Sequence, residues 1–304
     1  MLSYIKELSN LCGELNCNII PECSLKEYNT FRIGGRCQAL ASINSVNSLA
    51  RLLAFLKEKN INYQIIGRGS NIIVSDKGYD GIIILVGGDF AGIKITENKV
   101  FCQAGAKLSN VCLEVQKHGL SGMENLYGIP GTVGGALYMN AGAYGSEISD
   151  VIESAEYLDT DGNIYSISKS DMNLAYRQSI FSEKGGIIVS ATFCLEKGSP
   201  EKIKSAMNEC ISKRREKQPL EYPSAGSTFK RPAGNYASKL IDECGLKGLS
   251  CGDAEVSTKH CGFVINKGNA SCSDVIELCK KVKAIVKEKT GYILELEPVI
   301  IGEL

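Results

Sequence analysis

The chain has 304 residues, of which 44% are hydrophobic and 22% are charged, and its formal net charge is zero. A zero net charge gives no overall field that would attract nucleic acid or an anionic membrane. No apolar run reaches the roughly 20 residues that a membrane-spanning helix needs, and the opening MLSYIKELSN lacks the apolar core of a signal peptide. We therefore expect a soluble, cytoplasmic protein that binds neither nucleic acid nor membrane.

The 13 cysteines are scattered along the chain and contain no CxxC pair. This pattern favours reduced thiols over disulfides or zinc ligands. His260 lies between Cys251 and Cys261, but the spacing is too loose to predict a metal site.

The first half of the chain mixes helical and strand patterns. Apolar residues recur at helical spacing in VNSLARLLAFLKEK, whereas the short β-branched runs read as strands. In chain order we predict a helix over 46–59, strands at 61–66, 72–74, 81–86 and 100–105, and a helix over 106–118.

The second half continues this mixture. Asp161-Gly162 marks the turn of a hairpin over 156–168, and Ser271 with Asp274 forms a candidate capping box. We further predict a strand within 185–198, helices over 201–217, 235–244 and 274–289, and strands at 262–266 and 292–302.

The fold class that follows is α+β. A length of 304 residues suits two or three domains of ordinary size. We place two N-terminal subdomains at 1–84 and 85–198 and a C-terminal domain at 199–304, whose last strand could pack back on the N-terminal part.

Two glycine-rich loops are candidate phosphate sites, because glycine lets backbone amides approach an anion closely. The first loop, residues 67–71, is followed by a strand and not by the helix of a Rossmann fingerprint, so a tight turn without a ligand fits it equally well. The second loop, residues 128–145, is anchored by apolar residues and is the stronger candidate. Two such loops suit a long diphosphate cofactor, and the predicted cofactor-binding residues are Gly67, Arg68, Gly69, Ser70, Asn71, Gly128, Ile129, Pro130, Gly131, Thr132, Gly134, Gly135, Asn140 and Gly142.

Six motifs make the pattern specific. They run in the order NTFRIGG (29–35), IGRGSNIIVSD (66–76), ENLYGIPGTVGGALYMNAGAYG (124–145), AYRQSIF (175–181), PSAGSTFKRP (223–232) and LELEPVIIG (294–302). With these motifs the sequence resembles the UDP-N-acetylenolpyruvoylglucosamine reductases, flavoenzymes of peptidoglycan precursor synthesis.

The resemblance implies a fold and a set of ligands. The fold is the FAD-binding fold of the vanillyl-alcohol-oxidase type, followed by a C-terminal substrate-binding domain. The ligands are non-covalent FAD, NADPH as reductant and a UDP-sugar substrate. The short separation of Arg177 from Ser227 resembles that of the family's shorter variants.

The resemblance also places the catalytic roles on Arg177, Ser227 and Glu297. A guanidinium can clamp the carboxylate of an enolpyruvyl group while charge develops on it. Ser227 is the expected proton donor to the resulting carbon, and a rigid turn between two prolines would position it. Glu297 can help if apolar neighbours keep it protonated, so that it donates a hydrogen bond.

Near Glu297 the chain departs from the family pattern, because Pro298 and Val299 follow where a valine and a basic residue are usual. Proline removes a ladder donor, so we expect an edge strand or a bulge there. Glu295 would share a strand face with Glu297 and is a lesser candidate.

The expected substrate-binding residues are Tyr176, Arg214, Lys217 and Lys230, with Arg231 as a further cation for the diphosphate. Two alternatives stay open: a flavin-dependent oxidase of the same fold, and an inactive nucleotide-binding module. Neither histidine lies in a glycine loop, which disfavours covalent attachment of the flavin.

Overall fold

The computed structural model describes residues 3–304, and the chain forms two compact units. The first unit consists of the segment that ends at Pro21 together with Ala39–Arg68 and Gly81–Lys213. The second unit consists of Glu22–Gln38, Gly69–Asp80 and Arg214–Leu304. Both units are therefore built from segments that are distant in sequence. The domain boundaries expected at 84/85 and 198/199 stay predictions.

The α-helices are, in chain order, α1 (Ser3–Glu14), α2 (Val46–Glu58), α3 (Leu108–Lys117), α4 (Val133–Tyr138), α5 (Ile148–Val151), α6 (Ile180–Lys184), α7 (Pro200–Lys217), α8 (Ala237–Glu243) and α9 (Cys272–Thr290). The strands of the first half are β1 (Asn18–Pro21), β2 (Cys37–Ile43), β3 (Tyr63–Ile66), β4 (Ile72–Val74), β5 (Tyr79–Val86), β6 (Ile93–Thr96), β7 (Lys99–Gln103), β8 (Leu120–Ser121) and β9 (Gly142–Ala143). The remaining strands are β10 (Ser146–Glu147), β11 (Ile152–Leu158), β12 (Ile164–Ser168), β13 (Ile187–Cys194), β14 (Glu196–Lys197), β15 (Ser250–Cys251), β16 (Ala254–Val256), β17 (Val264–Asn266) and β18 (Val299–Ile301).

The first unit is organised around two sheets. One has the strand order β1-β2-β5-β3, in which β3 and β5 are parallel. The other is antiparallel, with the order β12-β11-β13-β7-β6. One continuous core, which includes Leu49, Ile82, Val133 and Phe193, packs the helices against these sheets.

The second unit has a separate core. An antiparallel sheet of order β15-β16-β17 packs against α9, and β18 pairs with β4 in parallel. Phe31, Ile73 and Val282 are fully buried in this core. The β4–β18 pairing therefore joins residues 72–74 to residues 299–301.

Local signals predicted most elements well. The capping box of α9 is confirmed, because the Asp274 amide donates to Ser271 Oγ at 3.0 Å and the Ser271 amide donates to Asp274 Oδ2 at 2.9 Å. The hairpin over 156–168 is confirmed as β11 and β12, and its turn is held by the Asp159 side chain.

The predicted strand over 292–302 was wrong in its extent. Only Val299–Ile301 form a strand, and Leu296 makes a single bridge with Phe229. The strand begins directly after Pro298, which is buried and lacks the amide that a longer ladder would need. The proline therefore sets the start of the strand and does not bulge it.

Among residues 3–304, no helix is both long and apolar enough to cross a membrane.

Candidate flavin and substrate site

Within the first unit, Gly67 of the first glycine loop packs against Thr132 of the second. A Cβ atom placed on Gly67 would lie 2.4 Å from Thr132 Oγ1 and 3.2 Å from Thr132 Cγ2, and both distances are shorter than normal contacts. Only glycine therefore fits at position 67 while Thr132 keeps its place.

Thr132 itself is held by the helix that it begins. It is the N-cap of α4, and its Oγ1 accepts a hydrogen bond from the Gly135 amide at 3.3 Å. The Gly134 amide donates to Ala104 O at 2.8 Å, and a Cβ on Gly134 would come within 2.9 Å of Ala104 Cβ. The glycine-rich stretch thus contains a short helix that packs on the core, where the sequence indicated a loop.

Gly135 differs from these tightly packed glycines. It is exposed, and a Cβ there would meet only Thr132 Oγ1, at an ordinary 3.5 Å. Packing within the protein does not require glycine at this position, so the open backbone surface is available to a bound group. This observation fits a cofactor that lies along the loop.

The residues just before α4 continue the loop on the N-terminal side of the open backbone at Gly135. Gly128, Ile129 and Gly131 are partly buried, and Pro130 is exposed. The Gly131 carbonyl accepts a hydrogen bond from the Leu108 amide at 3.0 Å, which ties the loop to α3.

The first glycine loop crosses the division between the units, which falls between Arg68 and Gly69. Gly69 has a φ of +65°, and a Cβ there would lie 2.1 Å from the Tyr28 carbonyl oxygen, so the position needs glycine. Arg68 is exposed, whereas Ser70 and Asn71 are partly buried. Because Asn71 follows the division, it belongs to the second unit, as Glu297 does.

Gly142 begins a tight hairpin of β9 and β10. Its two turn residues, Tyr144 and Gly145, both have positive φ, as in the type I′ turn that suits the twist of a two-residue hairpin. The Gly142 carbonyl oxygen accepts a hydrogen bond from Arg177 Nη2 at 3.3 Å. The predicted catalytic arginine thus contacts the glycine loop within the first unit.

Arg177 occupies an unusual backbone conformation. Ala175 and Gln178 exchange two backbone hydrogen bonds, at 3.1 and 3.2 Å, across a turn in which Arg177 has a φ of +57°. Glycine or asparagine normally fills such a left-handed turn position. The guanidinium carbon lies 4.9 Å from the centre of the exposed Tyr176 ring, at cation–π distance.

Ser227 lies in a segment of the second unit that its neighbour Thr228 fixes. The Thr228 amide donates to Gly262 O at 2.8 Å, and its Oγ1 accepts from the Val264 amide at 2.8 Å. The Thr228 carbonyl accepts from the Glu297 amide at 3.0 Å. The structure therefore brings the backbones of two predicted catalytic residues side by side.

Glu297 and Glu295 have different surroundings. Glu297 is partly buried, and Asn71 Nδ2 donates to its carbonyl oxygen at 3.4 Å. The Glu295 side chain is 70% exposed and lies 3.6 Å from Lys230 Nζ. Its exposure and its ion pair with Lys230 make Glu295 the weaker candidate for the catalytic carboxyl group.

The apolar surroundings expected around Glu297 are only partly present. Leu294 is buried and Leu296 is partly buried, but Ile293 and Val299 are 65% and 42% exposed. The expectation was wrong for Ile293, which precedes Pro298 in a segment outside any sheet, and for Val299, which is exposed although it begins β18.

The predicted substrate cations lie in different environments. Arg214, in the last turn of α7, is 9% exposed, whereas Lys217 at the end of that helix is exposed. Lys230 is partly buried beside Glu295, and the guanidinium carbon of Arg231 lies 4.6 Å from the ring centre of Tyr236.

Two buried polar residues make tertiary hydrogen bonds at this site that the sequence did not predict. Asn140 and Ser179 are both fully buried, and each bonds the glycine loop to the segment that holds Arg177. Both occur inside the quoted motifs. Only the structure shows that their partners lie in the other motif.

Two family models match the chain. The one described as FAD binding domain covers residues 37–168, and the one described as UDP-N-acetylenolpyruvoylglucosamine reductase, C-terminal domain, covers residues 218–301. Among curated relatives, the UDP-N-acetylenolpyruvoylglucosamine reductase of Clostridium novyi (strain NT) is 46% identical, covering 95% of this chain and 93% of its own. That of Clostridioides difficile (strain 630) is 44% identical, covering 99% and 98%.

One solved structure extends the comparison to three dimensions. The crystal structure of UDP-N-acetylenolpyruvylglucosamine reductase from Thermus caldophilus superimposes with a TM-score of 0.79 at 34% identity, covering 94% of this chain and 99% of that one.

These matches define a flavoprotein with an FAD-binding domain and an additional C-terminal domain, which confirms the predicted fold class. Within that class, the chain belongs to the UDP-N-acetylenolpyruvoylglucosamine reductase family.

Proposed function

We propose that the protein uses FAD and NADPH to reduce UDP-N-acetyl-3-O-(1-carboxyvinyl)glucosamine to UDP-N-acetylmuramate, a step in peptidoglycan precursor synthesis. The observation that carries the proposal is the identity of 44–46% to reductases of this name over nearly the whole chain. Arg177, Ser227 and Glu297 stand in the three motifs to which the family's catalytic positions correspond.

The residues present fit FAD. The exposed backbone at Gly135 leaves room for a cofactor, and the packing of Gly67 on Thr132 joins the two loops that would hold it. When bound, FAD would supply the chemistry of hydride transfer between NADPH and the vinyl group of the substrate. The further residues that would contact it are those of the loops at 67–71 and 128–135, and Gly142.

Arg177 would bind the carboxylate of the enolpyruvyl group. Negative charge moves onto this carboxylate once hydride has reached the terminal vinyl carbon, and a fixed guanidinium stabilises the enediolate that results. The hydrogen bond to Gly142 O and the ring of Tyr176 restrict where the guanidinium can lie, which supports this role.

Ser227 would then protonate the α-carbon, which is basic enough in the enediolate to accept a proton from a hydroxyl group. Glu297, if it stays protonated, would donate a hydrogen bond to the developing charge. The Thr228–Glu297 backbone hydrogen bond supports a joint role, because it holds the segments that carry Ser227 and Glu297 next to each other.

The substrate is a UDP-sugar, and we assign its recognition to Tyr176, Arg214, Lys217 and Lys230. Positively charged side chains can bind the negatively charged diphosphate. The side chain of Lys230 is 43% exposed, so a ligand can reach it. We also assign the protein to the cytoplasm, where its substrate and NADPH would be found together.

The test measures NADPH oxidation by the FAD-loaded protein with and without the enolpyruvyl sugar nucleotide, with mass spectrometry of the product. We expect turnover that depends on the sugar nucleotide and a product two mass units heavier. NADPH oxidation that does not depend on it, coupled to oxygen consumption, would instead support the flavin-oxidase alternative. NADH in a parallel assay tests the preference for the phosphorylated coenzyme.

A further inference from the structure

We infer that Asn140 is a positioning residue that holds the backbone turn of Arg177 in its active conformation, with Ser179 as a second support. The inference rests on the proposed function, because it takes Arg177 as the group that binds the substrate carboxylate. It assigns to Asn140 a role other than the cofactor binding that its position in the glycine loop predicts.

The contacts of the Asn140 side chain are the main argument. Asn140 Nδ2 donates to the carbonyl oxygen of Ala175 at 3.0 Å and to Glu147 Oε2 at 2.8 Å. Asn140 Oδ1 accepts from the Ser149 amide at 2.9 Å. Both amide hydrogens are therefore used inside the protein, and the residue is fully buried.

Ala175 is the residue at which this contact matters for Arg177. The Ala175 carbonyl oxygen also accepts from the Gln178 amide, which closes the four-residue turn that presents Arg177. Because a carbonyl oxygen has two lone pairs, it can serve the turn and Asn140 together. Asn140 thus fixes the first residue of the turn to the glycine loop.

Ser179 fixes the other side of the turn. Its Oγ donates to the Tyr138 carbonyl oxygen at 2.6 Å, at the end of α4, and also accepts from the Ser182 amide as the N-cap of α6. Arg177 therefore lies between two tertiary hydrogen bonds, at Ala175 and at Ser179, and both lead to the glycine-rich segment.

Such support is needed because the conformation is strained. A residue other than glycine in the left-handed region persists only where its surroundings hold it there. Asn140 has a φ of +43° itself, which asparagine tolerates better than most residues. The side-chain amide of one left-handed residue, Asn140, thus bonds the turn that contains the other, Arg177.

The test compares the two half-reactions in rapid-mixing experiments. The variant Asn140→Gly removes the side chain and suits the positive φ. We expect it to keep FAD and to be reduced by NADPH within about twofold of the wild type. Reoxidation by the enolpyruvyl sugar nucleotide should slow by about 100-fold, since a small misplacement of a catalytic group can cost that much.

A double-mutant cycle separates positioning from general damage. In an Arg177→Ala background, Asn140→Gly should slow reoxidation no further, because its effect acts through the arginine. Asn98→Ala is the matched control: Asn98 Nδ2 also makes a tertiary contact in this unit, to Cys194 Sγ at 3.3 Å, but in the β6–β7 turn. We expect it to react at the wild-type rate.

Ser179→Ala provides a second variant should Asn140→Gly fold poorly, as judged by circular dichroism of the apoprotein. It should also slow reoxidation selectively. Equal slowing by Asn140→Gly with and without Arg177, or loss of FAD from Asn140→Gly, would overturn the inference. A wild-type protein that the sugar nucleotide cannot reoxidise would overturn the proposed function, and the inference with it.

Discussion

The carbonyl oxygen of Thr228 accepts a hydrogen bond from the amide of Glu297 at 3.0 Å. This bond joins the segment that carries Ser227 to the segment that carries the candidate carboxylic acid. Because Thr228 is also bonded to Gly262 and Val264, the Ser227 hydroxyl is presented from a backbone held on two sides.

Ser227→Ala should therefore retain the fold and FAD and still be reduced by NADPH, while product formation falls by a factor of about 100 to 10,000, the usual contribution of a positioned acid. Stopped-flow absorbance would follow the flavin, and mass spectrometry the product. Ser250→Ala, at an exposed serine of β15 in the same unit, is the control and should show normal turnover. Near-normal product formation by Ser227→Ala would remove Ser227 from its role.

The two neighbouring glutamates give a second prediction. Glu297→Ala should lower kcat by about 100 to 1,000-fold, the typical cost of losing a donor to a developing oxyanion. Glu297→Gln should lose less, because an amide can still donate a hydrogen bond. Glu295→Gln should change kcat by less than about threefold, since its exposed ion pair with Lys230 contributes little. Steady-state kinetics measure these changes in kcat. A larger loss of kcat in Glu295→Gln than in the Glu297 variants would assign the hydrogen-bond donor role to Glu295.

These two predictions show what the sequence could and could not supply. The motifs placed Ser227 and Glu297 as candidates, and local capping signals placed α9. The Thr228–Glu297 bond could not be predicted, because it joins segments that are far apart in the chain. The extent of the last strand was mispredicted because an apolar, alternating pattern outweighed the missing amide of Pro298.

The glycine loops illustrate the same limit. Their composition indicated close backbone approach, and the structure has Gly67 against Thr132. The sequence could not say which glycines serve internal packing and which leave a surface open. That distinction depends on the neighbours of each Cα atom, as the contrast between Gly134 and Gly135 shows.

Gly67→Ala should lower the unfolding free energy of the apoprotein by about 1–3 kcal/mol, because the added methyl group overpacks the contact with Thr132. Urea denaturation measures this change, and FAD affinity should fall with it.

Two other glycines serve as controls for Gly67→Ala. Gly13→Ala, in α1 with open space around it, should stabilise the protein by about 0.5–1 kcal/mol. Gly135→Ala should leave the apoprotein stable and weaken FAD binding alone. Unchanged FAD affinity in Gly135→Ala would argue against a cofactor on that surface.

Arg177→Gly should raise the stability of the protein while lowering its activity. Glycine relieves the left-handed strain at this position, so the unfolding free energy should rise by up to about 1 kcal/mol. Turnover should fall by at least about 100-fold, because the guanidinium is lost. The control is Glu97→Gly, at an exposed turn residue with a φ of +56°, which should gain stability without losing turnover. Full activity in Arg177→Gly would contradict its catalytic role.

The hydrogen bonds of Asp76 predict how the stability of the folded protein depends on pH. Its carboxylate accepts hydrogen bonds from the Cys272 amide at 2.7 Å and from the Ser273 amide and hydroxyl at 2.9 and 2.8 Å. Burial alone would raise the pKa of Asp76, but these hydrogen bonds outweigh it and hold the pKa below the usual value. The carboxylate therefore stabilises the folded state above the unfolded-state pKa of about 4, and this contribution is lost as the pH falls through the lower folded-state value.

Asp76→Ala should consequently reduce the unfolding free energy at pH 7 by about 1 kcal/mol, the usual effect of a lost helix cap. The difference from the wild type should shrink as the pH is lowered below about 4. Guanidinium denaturation at a series of pH values measures both. A difference that is independent of pH would show that ionisation of Asp76 is not involved.

The pairing of β4 with β18 has a consequence for how the chain is made. Asn71 and Glu297, which flank this pairing, are 226 residues apart in sequence. At ribosomal rates of about 5–20 residues per second, β4 emerges roughly 11 to 45 seconds before its partner. During that time Ile72, Ile73 and Val74 have no strand beside them. Nascent chains are therefore expected to depend on chaperones at this segment, and the second unit to become protease-resistant only after synthesis has passed β18.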